Sequence, residues 1–343
     1  MQQEKKSEPS LNTSLNASGV FAPIEKYLAA LDEFLEAQIA QFSKATQSLV
    51  RYTFTHRGKR LRPALVFFCG NDLEQVNPDL VRAAAIVELI HLSTLVHDDI
   101  LDNAQLRHGS PTLFAKYGSH TSVLLGDVIL AHATILMTQY NSVELCRATA
   151  KAVREICDGE VWQTTERGNA DLKLEDYFKI IQMKTGELFE VSAFLGASLA
   201  GTGLERAQAC AKYGTLLGRA YQIFDDLVDF LGTEKEIGKT LGTDLASGKY
   251  TLPLIFWLEN KLAPERAEIF ARITAKAMSI DEVVAAMRAE NVFERSRKYF
   301  NESIADAIAA VDLGKQNDLG TRHLILLAQF VKTQVDKFFE KHV

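Results

Sequence analysis

The chain has 343 residues, 47% hydrophobic and 24% charged, with a formal net charge of −6. This is ordinary globular composition, long enough for one large domain or two smaller ones, and its acidic balance argues against a broad basic surface for nucleic acid. The four cysteines, Cys69, Cys146, Cys157 and Cys210, show no CxxC pairing. That argues against structural zinc and a disulfide framework and favours a reducing cytoplasm.

Residues 1–18 begin MQQEKKSEPS, without the apolar stretch of a secretory signal, and read as a disordered polar tail. From residue 19 to 343 strong helix formers dominate and apolar residues recur at three- and four-residue spacing, as in Ile24, Tyr27, Leu28, Leu31, Phe34, Leu35 and Ile39. The pattern predicts helices over 24–47, 63–70, 79–105, 120–140, 142–165, 174–200, 204–231, 250–260, 264–275, 280–290, 292–312 and 319–340. No two-residue alternation is sustained, and no linker divides the chain after the tail. The expectation is all-α, one large helical bundle. No apolar run reaches the roughly 18 residues of a membrane span, so no transmembrane segment is expected.

Arg57-Gly58-Lys59-Arg60-Leu61-Arg62-Pro63 places four cations in six positions before a predicted helix. A charge run of this kind is commonly a solvated loop. Beside acidic clusters it equally suits an anion site, because Arg grips phosphate with two N–H groups and Lys acts as a point charge.

The next segment is His91-Leu92-Ser93-Thr94-Leu95-Val96-His97-Asp98-Asp99-Ile100-Leu101-Asp102. Asp98 and Asp102, four apart, share a helix face, with Asp99 beside them. Three such carboxylates repel unless solvated or met by a cation. Alone, they read equally as a wet helix end or a metal site. Gln222-Ile223-Phe224-Asp225-Asp226-Leu227-Val228-Asp229 repeats the DDxxD spacing late in another apolar helix. Two such helices facing each other would form a cage of hard oxygen ligands, which suits Mg²⁺. Mg²⁺ keeps waters and favours phosphate as a co-ligand, so the implied substrate is a phosphate ester or diphosphate.

Further cations follow in Arg107-His108-Gly109 and Lys184-Thr185-Gly186, and Lys239 and Lys249 flank the loop from Thr240 to Gly248. Singly, each lysine reads as a solvated surface residue; together they carry enough charge for two diphosphates. No GxxxxGK[ST] loop is present, which disfavours a nucleotide triphosphatase.

From about residue 20 onward the chain resembles the trans-isoprenyl diphosphate synthases. The resemblance rests on Gly58-Lys59-Arg60-Leu61-Arg62-Pro63, His91 seven residues before the first DDxxD, Arg107 and Gly109, Lys184-Thr185-Gly186, the Gln222–Asp229 segment, and Gly238-Lys239 through Gly248-Lys249-Tyr250-Thr251-Leu252-Pro253. It implies the isoprenoid synthase bundle with a central cavity, and a magnesium-dependent prenyltransferase joining an allylic diphosphate to isopentenyl diphosphate. Asp98 and Asp102 would bind Mg²⁺ on one side of the allylic diphosphate, and Asp225 a third ion on the other. Asp99, Asp226 and Asp229 belong to the same metal motifs, the last two supporting through water or weaker contacts. Arg107, Lys184, Lys239 and Lys249 would grip the allylic diphosphate. Lys59, Arg62 and His91 would hold isopentenyl diphosphate, and Thr185 and Gln222 would point oxygens at the developing cation. A homodimer is implied by analogy. The chain departs from the family's Arg-Arg-Gly at His108, which bears on isopentenyl diphosphate binding, and carries Arg57 where glycine is common.

Short-chain members often place Phe or Tyr four or five residues before the first Asp. Here Ser93 and Thr94 are small, and a two-residue insertion found in many short-chain bacterial synthases is missing. The expectation is a medium or long product, roughly hexaprenyl to decaprenyl, as for quinone side chains. Its floor would lie deeper, at Ile90 and Val87 or at His132, Ile135, Leu136, Met137 and Tyr140, although most of these equally read as core. The competing readings are a geranylgeranyl synthase, a non-catalytic subunit of a heteromeric synthase, and a terpene cyclase, for which the isopentenyl diphosphate segment would have no purpose.

Overall fold

The structure, a computed structural model, describes residues 17–54, 58–70, 73–234, 241–275, 277–312 and 319–343. Residues 1–16 of the expected tail, Arg57, Gly238 and Lys239 lie outside the described residues. The architecture is all-α: α1 (Ala17–Phe21), α2 (Glu25–Ile39), α3 (Lys44–Thr53), α4 (Leu61–Gly70), α5 (Pro78–Leu101), α6 (Leu113–Met137), α7 (Val143–Thr165), α8 (Leu174–Ile181), α9 (Glu187–Leu199), α10 (Leu204–Leu231), α11 (Thr243–Ala246), α12 (Leu252–Leu258), α13 (Ala263–Thr274), α14 (Ile280–Ala289), α15 (Val292–Val311) and α16 (Leu319–His342). One two-stranded hairpin, β1 (Leu106–Arg107) and β2 (Ser110–Pro111), interrupts them.

Local chemistry sets the helix starts. Pro78 opens α5 behind Asn77, whose side chain accepts the Asp79 N–H. Thr112 and Ser142 cap α6 and α7 in the same manner, and Ser279 with Glu282 forms a capping box for α14. α5 is apolar over much of its surface because it runs through the core, packed by α2, α4, α6 and α9. α10 is enclosed by α9 and α15. One core of buried apolar residues runs from Val20 to Phe339.

Several boundaries differ from the sequence expectation. The helix expected over 24–47 is two, because the chain turns extended at Ser43 before α3. The helix expected to reach 105 ends at Leu101, and α6 begins at Leu113 with a break at Gly118, φ 78°. α5 and α6 are each long and apolar enough to cross a bilayer by length and composition. They pack against each other, and α5 is largely covered by protein. All four cysteines are free thiols.

Between α8 and α9, Gln182–Gly186 widens into one π-helical turn, a feature that often marks functional sites. Two glycines let neighbouring helices press on it. A Cβ at Gly159 of α7 would sit 2.8 Å from the Lys184 nitrogen, and one at Gly218 of α10 would sit 2.9 Å from the Gly186 Cα.

Just beyond this turn, Glu187 is buried. Burial, reinforced by Glu190 and Glu155 and opposed by Lys151, pushes its carboxyl up to about 7. The folded state therefore holds a proton that the unfolded chain releases near the ordinary carboxylate value. Stability falls as pH rises from about 4.5 to 7 and stays lower above that. Glu187→Gln removes this penalty: denaturant titration should find the variant about 1–2 kcal/mol more stable at pH 8, with the gain shrinking towards zero at pH 4.5. An equal gain at both pH values would refute the assignment.

Candidate active site

The two aspartate motifs occupy the last turns of α5 and α10. His91, Asp98 and Asp102 follow one face of α5, at spacings of seven and four. Asp98 is half-buried, and burial raises its pKa. Glu160 and Asp102 add to that, while Lys184 and Arg107 oppose it. Asp99, 5% exposed, turns inward, and one of its oxygens receives Arg107 Nε at 2.9 Å and Nη2 at 2.8 Å.

Arg107 reaches back because β1 and β2 close through a tight turn. His108 and Gly109 occupy the turn with φ 51° and 74°, the pair of positive φ angles of a type I′ hairpin. Histidine is among the few residues enriched in that conformation. Burial opposes the Arg107 charge, but Asp99, Asp98 and Asp225 together hold its pKa above the ordinary value. Arg107 thus lies between the two acidic clusters.

The π turn delivers Lys184 to the same place. Its ammonium lies 2.5 Å from Glu160 and 2.9 Å from the Gln163 amide oxygen, both on α7. Burial works against this charge, yet Asp98 and Glu160 raise its pKa. The adjacent Thr185 hydroxyl donates to Gln222 Oε1 at 2.6 Å. Gln222 Nε2 donates to Asp226 Oδ1 at 2.8 Å, and Tyr177 donates to the other oxygen at 2.6 Å. Asp226 is 2% exposed. Burial, then Asp244, pushes it up to about 7 against the pull of those two bonds, with Asp225 adding further.

Asp229 spends its carboxylate on backbone, accepting the Gly242 and Asp244 N–H groups at 3.0 and 3.2 Å. This ties the loop before α11 to α10. Lys249, three residues past the end of α11, is 4% exposed and bridges Asp102 at 2.8 Å and Asp244 at 3.2 Å. Arg167 Nη2 approaches the same Asp102 oxygen at 3.5 Å.

A second basic group lies at the head of α4. Arg62 stacks over Phe189, 4.5 Å from the ring centroid, and its buried Nε has no hydrogen-bond partner among the described residues. Burial lowers its pKa. His91 stands well below its ordinary value, through burial first and then the charges of Arg62, Arg107, His108 and Arg60. Lys59 is exposed, over Tyr221 and Phe224 at 5.6 and 5.9 Å. Arg60 instead pairs with Asp32 and Glu88. The cationic run thus divides between Lys59 and Arg62, which lie over aromatic rings, and Arg60, an internal tie.

Among the described residues no three side chains form a ready-made metal cage. The donor set still suits Mg²⁺, since hard carboxylate oxygens from two helices stand beside Arg107, Lys184 and Lys249, cations able to hold a phosphate that would complete its coordination. Asp98, Asp102 and Asp225 would hold the ion, Asp102 by giving up its bond to Lys249; Asp99, Asp226 and Asp229 bond to groups of the protein. Ser93 is buried, and its hydroxyl donates to the Gly126 carbonyl of α6 at 2.9 Å. Thr94 is half-buried and bonds its own helix at His91, while Ile90 is buried. Sequence reading missed Glu160, Gln163, Arg167, Tyr177 and Asp244. Glu160 and Gln163 carry a weak signal, lying three apart on one helix face; Tyr177 carries none.

Residues 43–289 match the family described as polyprenyl synthetase. The chain belongs to that family. It is 32% identical to octaprenyl diphosphate synthase of Escherichia coli (strain K12), over 83% of this chain and 89% of that protein. A crystal structure of polyprenyl synthase from Caulobacter crescentus CB15 is 29% identical with TM-score 0.83, covering 95% of this chain and 99% of that one. Decaprenyl diphosphate synthase from Rhodobacter capsulatus is also 29% identical, with TM-score 0.84 over 93% and 99%. The polyprenyl synthetase bundle described here is therefore that of a trans-isoprenyl diphosphate synthase of medium- to long-chain type, a prenyltransferase.

Lys184 and Glu160 form a mostly buried pair, their side chains 17% and 16% exposed. Lys184→Met leaves Glu160 and Asp98 to repel, and should lower metal-free stability by about 2–4 kcal/mol. Adding Glu160→Leu should restore at least half of that. Denaturant titration of both variants tests it; a Lys184→Met variant as stable as wild type would exclude the pairing.

Proposed function

We propose that this chain condenses isopentenyl diphosphate with an allylic diphosphate, such as farnesyl or geranylgeranyl diphosphate, to a hexaprenyl to decaprenyl all-trans product serving quinone side chains. The observation that carries the reading is Arg107 lodged between two aspartate motifs, with Lys184 and Lys249 closing the same space. That arrangement suits a diphosphate held between divalent cations. The Caulobacter polyprenyl synthase is complexed with calcium and isoprenyl diphosphate.

In this reading Asp98, Asp102 and Asp225 hold three Mg²⁺ ions, with Asp99, Asp226 and Asp229 fixing the surrounding elements. Mg²⁺ bound there supplies the positive charge that stabilises a departing diphosphate. Arg107, Lys184 and Lys249, with Lys239, grip that diphosphate and share its charge as the C–O bond ionises. The Thr185–Gln222–Asp226–Tyr177 chain fixes the direction of the Gln222 amide towards the allylic cation. Lys59, Arg62, His91 and His108 position isopentenyl diphosphate, whose double bond attacks that cation. The proton lost afterwards passes to the released diphosphate. The buried apolar walls exclude water from the cation.

A long product is supported by the small side chains of Ser93 and Thr94 ahead of Asp98 and by the octaprenyl and decaprenyl synthases among the chain's relatives. The outer face of α6 exposes Leu124, Val128 and Ile135, which supports a homodimer. The free thiols support a cytoplasmic setting.

Purified protein given Mg²⁺, farnesyl diphosphate and labelled isopentenyl diphosphate should yield a discrete product of at least hexaprenyl length, and none with EDTA. Ser93→Phe and Thr94→Phe should shorten it. Since Ser93 sits in the α5–α6 seam, Thr94→Phe is the gentler variant. Elongation that stops at the geranylgeranyl stage in wild type would refute the chain-length reading, and no elongation would favour a non-catalytic subunit.

His108 is exposed beside the recess and acts on His91. Protonation adds a positive charge where an anion binds, so KM for isopentenyl diphosphate should fall from pH 8 to pH 6. His108→Arg should flatten that dependence relative to wild type. Parallel profiles in the two proteins would rule it out.

A further inference from the structure

Two cations converge on one oxygen of Asp102, one closely and one at the limit of contact. Lys249 Nζ lies 2.8 Å from its Oδ1 and also reaches Asp244 at 3.2 Å. Arg167 Nη2 approaches the same Oδ1 at 3.5 Å, the outer limit of a hydrogen bond. Arg167 is also incompletely satisfied. Its Nε is buried without a hydrogen-bond partner among the described residues, and buried donors of this kind are costly unless an acceptor arrives.

The backbone holds Arg167 in place. It lies two residues past the end of α7, and the next residue, Gly168, donates its N–H to the Gly248 carbonyl at 2.9 Å. Gly248 precedes Lys249, so the loop bearing Arg167 and the loop bearing Lys249 are strapped together at the mouth of the site. Phe270 packs against both glycines and stacks on Tyr250, with ring centroids 5.2 Å apart. Such strapping fixes the backbone from which the guanidinium extends while leaving its partner exchangeable.

We propose that Arg167 is a further diphosphate-binding residue, which exchanges Asp102 for the allylic diphosphate when a divalent cation takes that carboxylate. The inference rests on the reading of this site as a cation–diphosphate centre. A divalent cation on Asp102 repels both Arg167 and Lys249, and the diphosphate is the acceptor that replaces the lost carboxylate. The planar fork of Arg167 can then use Nε and Nη2 together, which Asp102 does not permit. Lys249 retains Asp244 as an anchor during the exchange; Arg167 has the weaker hold and moves more freely.

The test is calorimetric binding of inorganic pyrophosphate with Mg²⁺ to the full chain, in wild type, Arg167→Gln and Arg167→Lys. Arg167→Gln should weaken binding by about tenfold, and Arg167→Lys by less, since it keeps charge without the fork. KM for the allylic diphosphate should rise in parallel while KM for isopentenyl diphosphate stays put. Unchanged pyrophosphate affinity in Arg167→Gln would overturn the proposal. So would a lowered unfolding temperature with both KM values raised alike, since that marks a strap and not a ligand contact. If wild type itself fails to bind pyrophosphate with Mg²⁺, the diphosphate reading falls, and this inference with it.

Discussion

The arrangement of the molecule follows from placing carboxylates where a helix least favours them. α5 and α10 both end in aspartates, and the C-terminal end of a helix already carries partial negative charge. Asp98, Asp99 and Asp226 all have raised pKa values, with burial as the leading cause. Such ends persist only if cations come to them from elsewhere. Arg107 comes on a hairpin, Lys184 on a π turn and Lys249 on the segment past α11, a short helix whose start Asp229 anchors. The irregular pieces of an otherwise helical protein are the pieces that deliver these charges.

This division of labour separates the two aspartate motifs more than their shared spacing suggests. In the first, Asp99 is given to Arg107 while Asp98 and Asp102 line the recess. In the second, Asp226 and Asp229 are engaged inside the protein, and Asp225 is the carboxylate that acts on Arg107. An acceptor that orients an amide or anchors a loop can be as necessary as one that meets a metal. It fixes the direction from which the meeting groups act.

Much of this was legible in the chain itself. The helical period located most elements to within a few residues, and the doubled DDxxD located the site, because both are patterns of residue type at fixed spacing. The misses share a different character. The break at Ser43, the early start of α6 and the hairpin at His108-Gly109 depend on backbone angles, which residue type restricts only loosely. Glu160, Arg167 and Tyr177 gain their importance from elements distant in sequence: Tyr177 meets Asp226 across forty-nine residues and Arg167 meets Asp102 across sixty-five. Local pattern cannot express such pairings. Ser93 shows the same limit, because its small size was evident while its bond to the α6 carbonyl was not.

The same electrostatics couples folding to ligand. Carboxylates whose charge burial disfavours, a histidine whose pKa is lowered by burial and surrounding cations, and a buried arginine Nε without a partner among the described residues are each costs borne by the ligand-free state. A divalent cation with a diphosphate, as proposed, would relieve them together, giving the carboxylates a counter-charge and the cations an acceptor. Binding would then stabilise the fold through groups already in position, with little rearrangement beyond side chains that change partner. Preorganisation at this site consists of charges set against one another in the wrong pairs, from which the correct pairs form when substrate arrives.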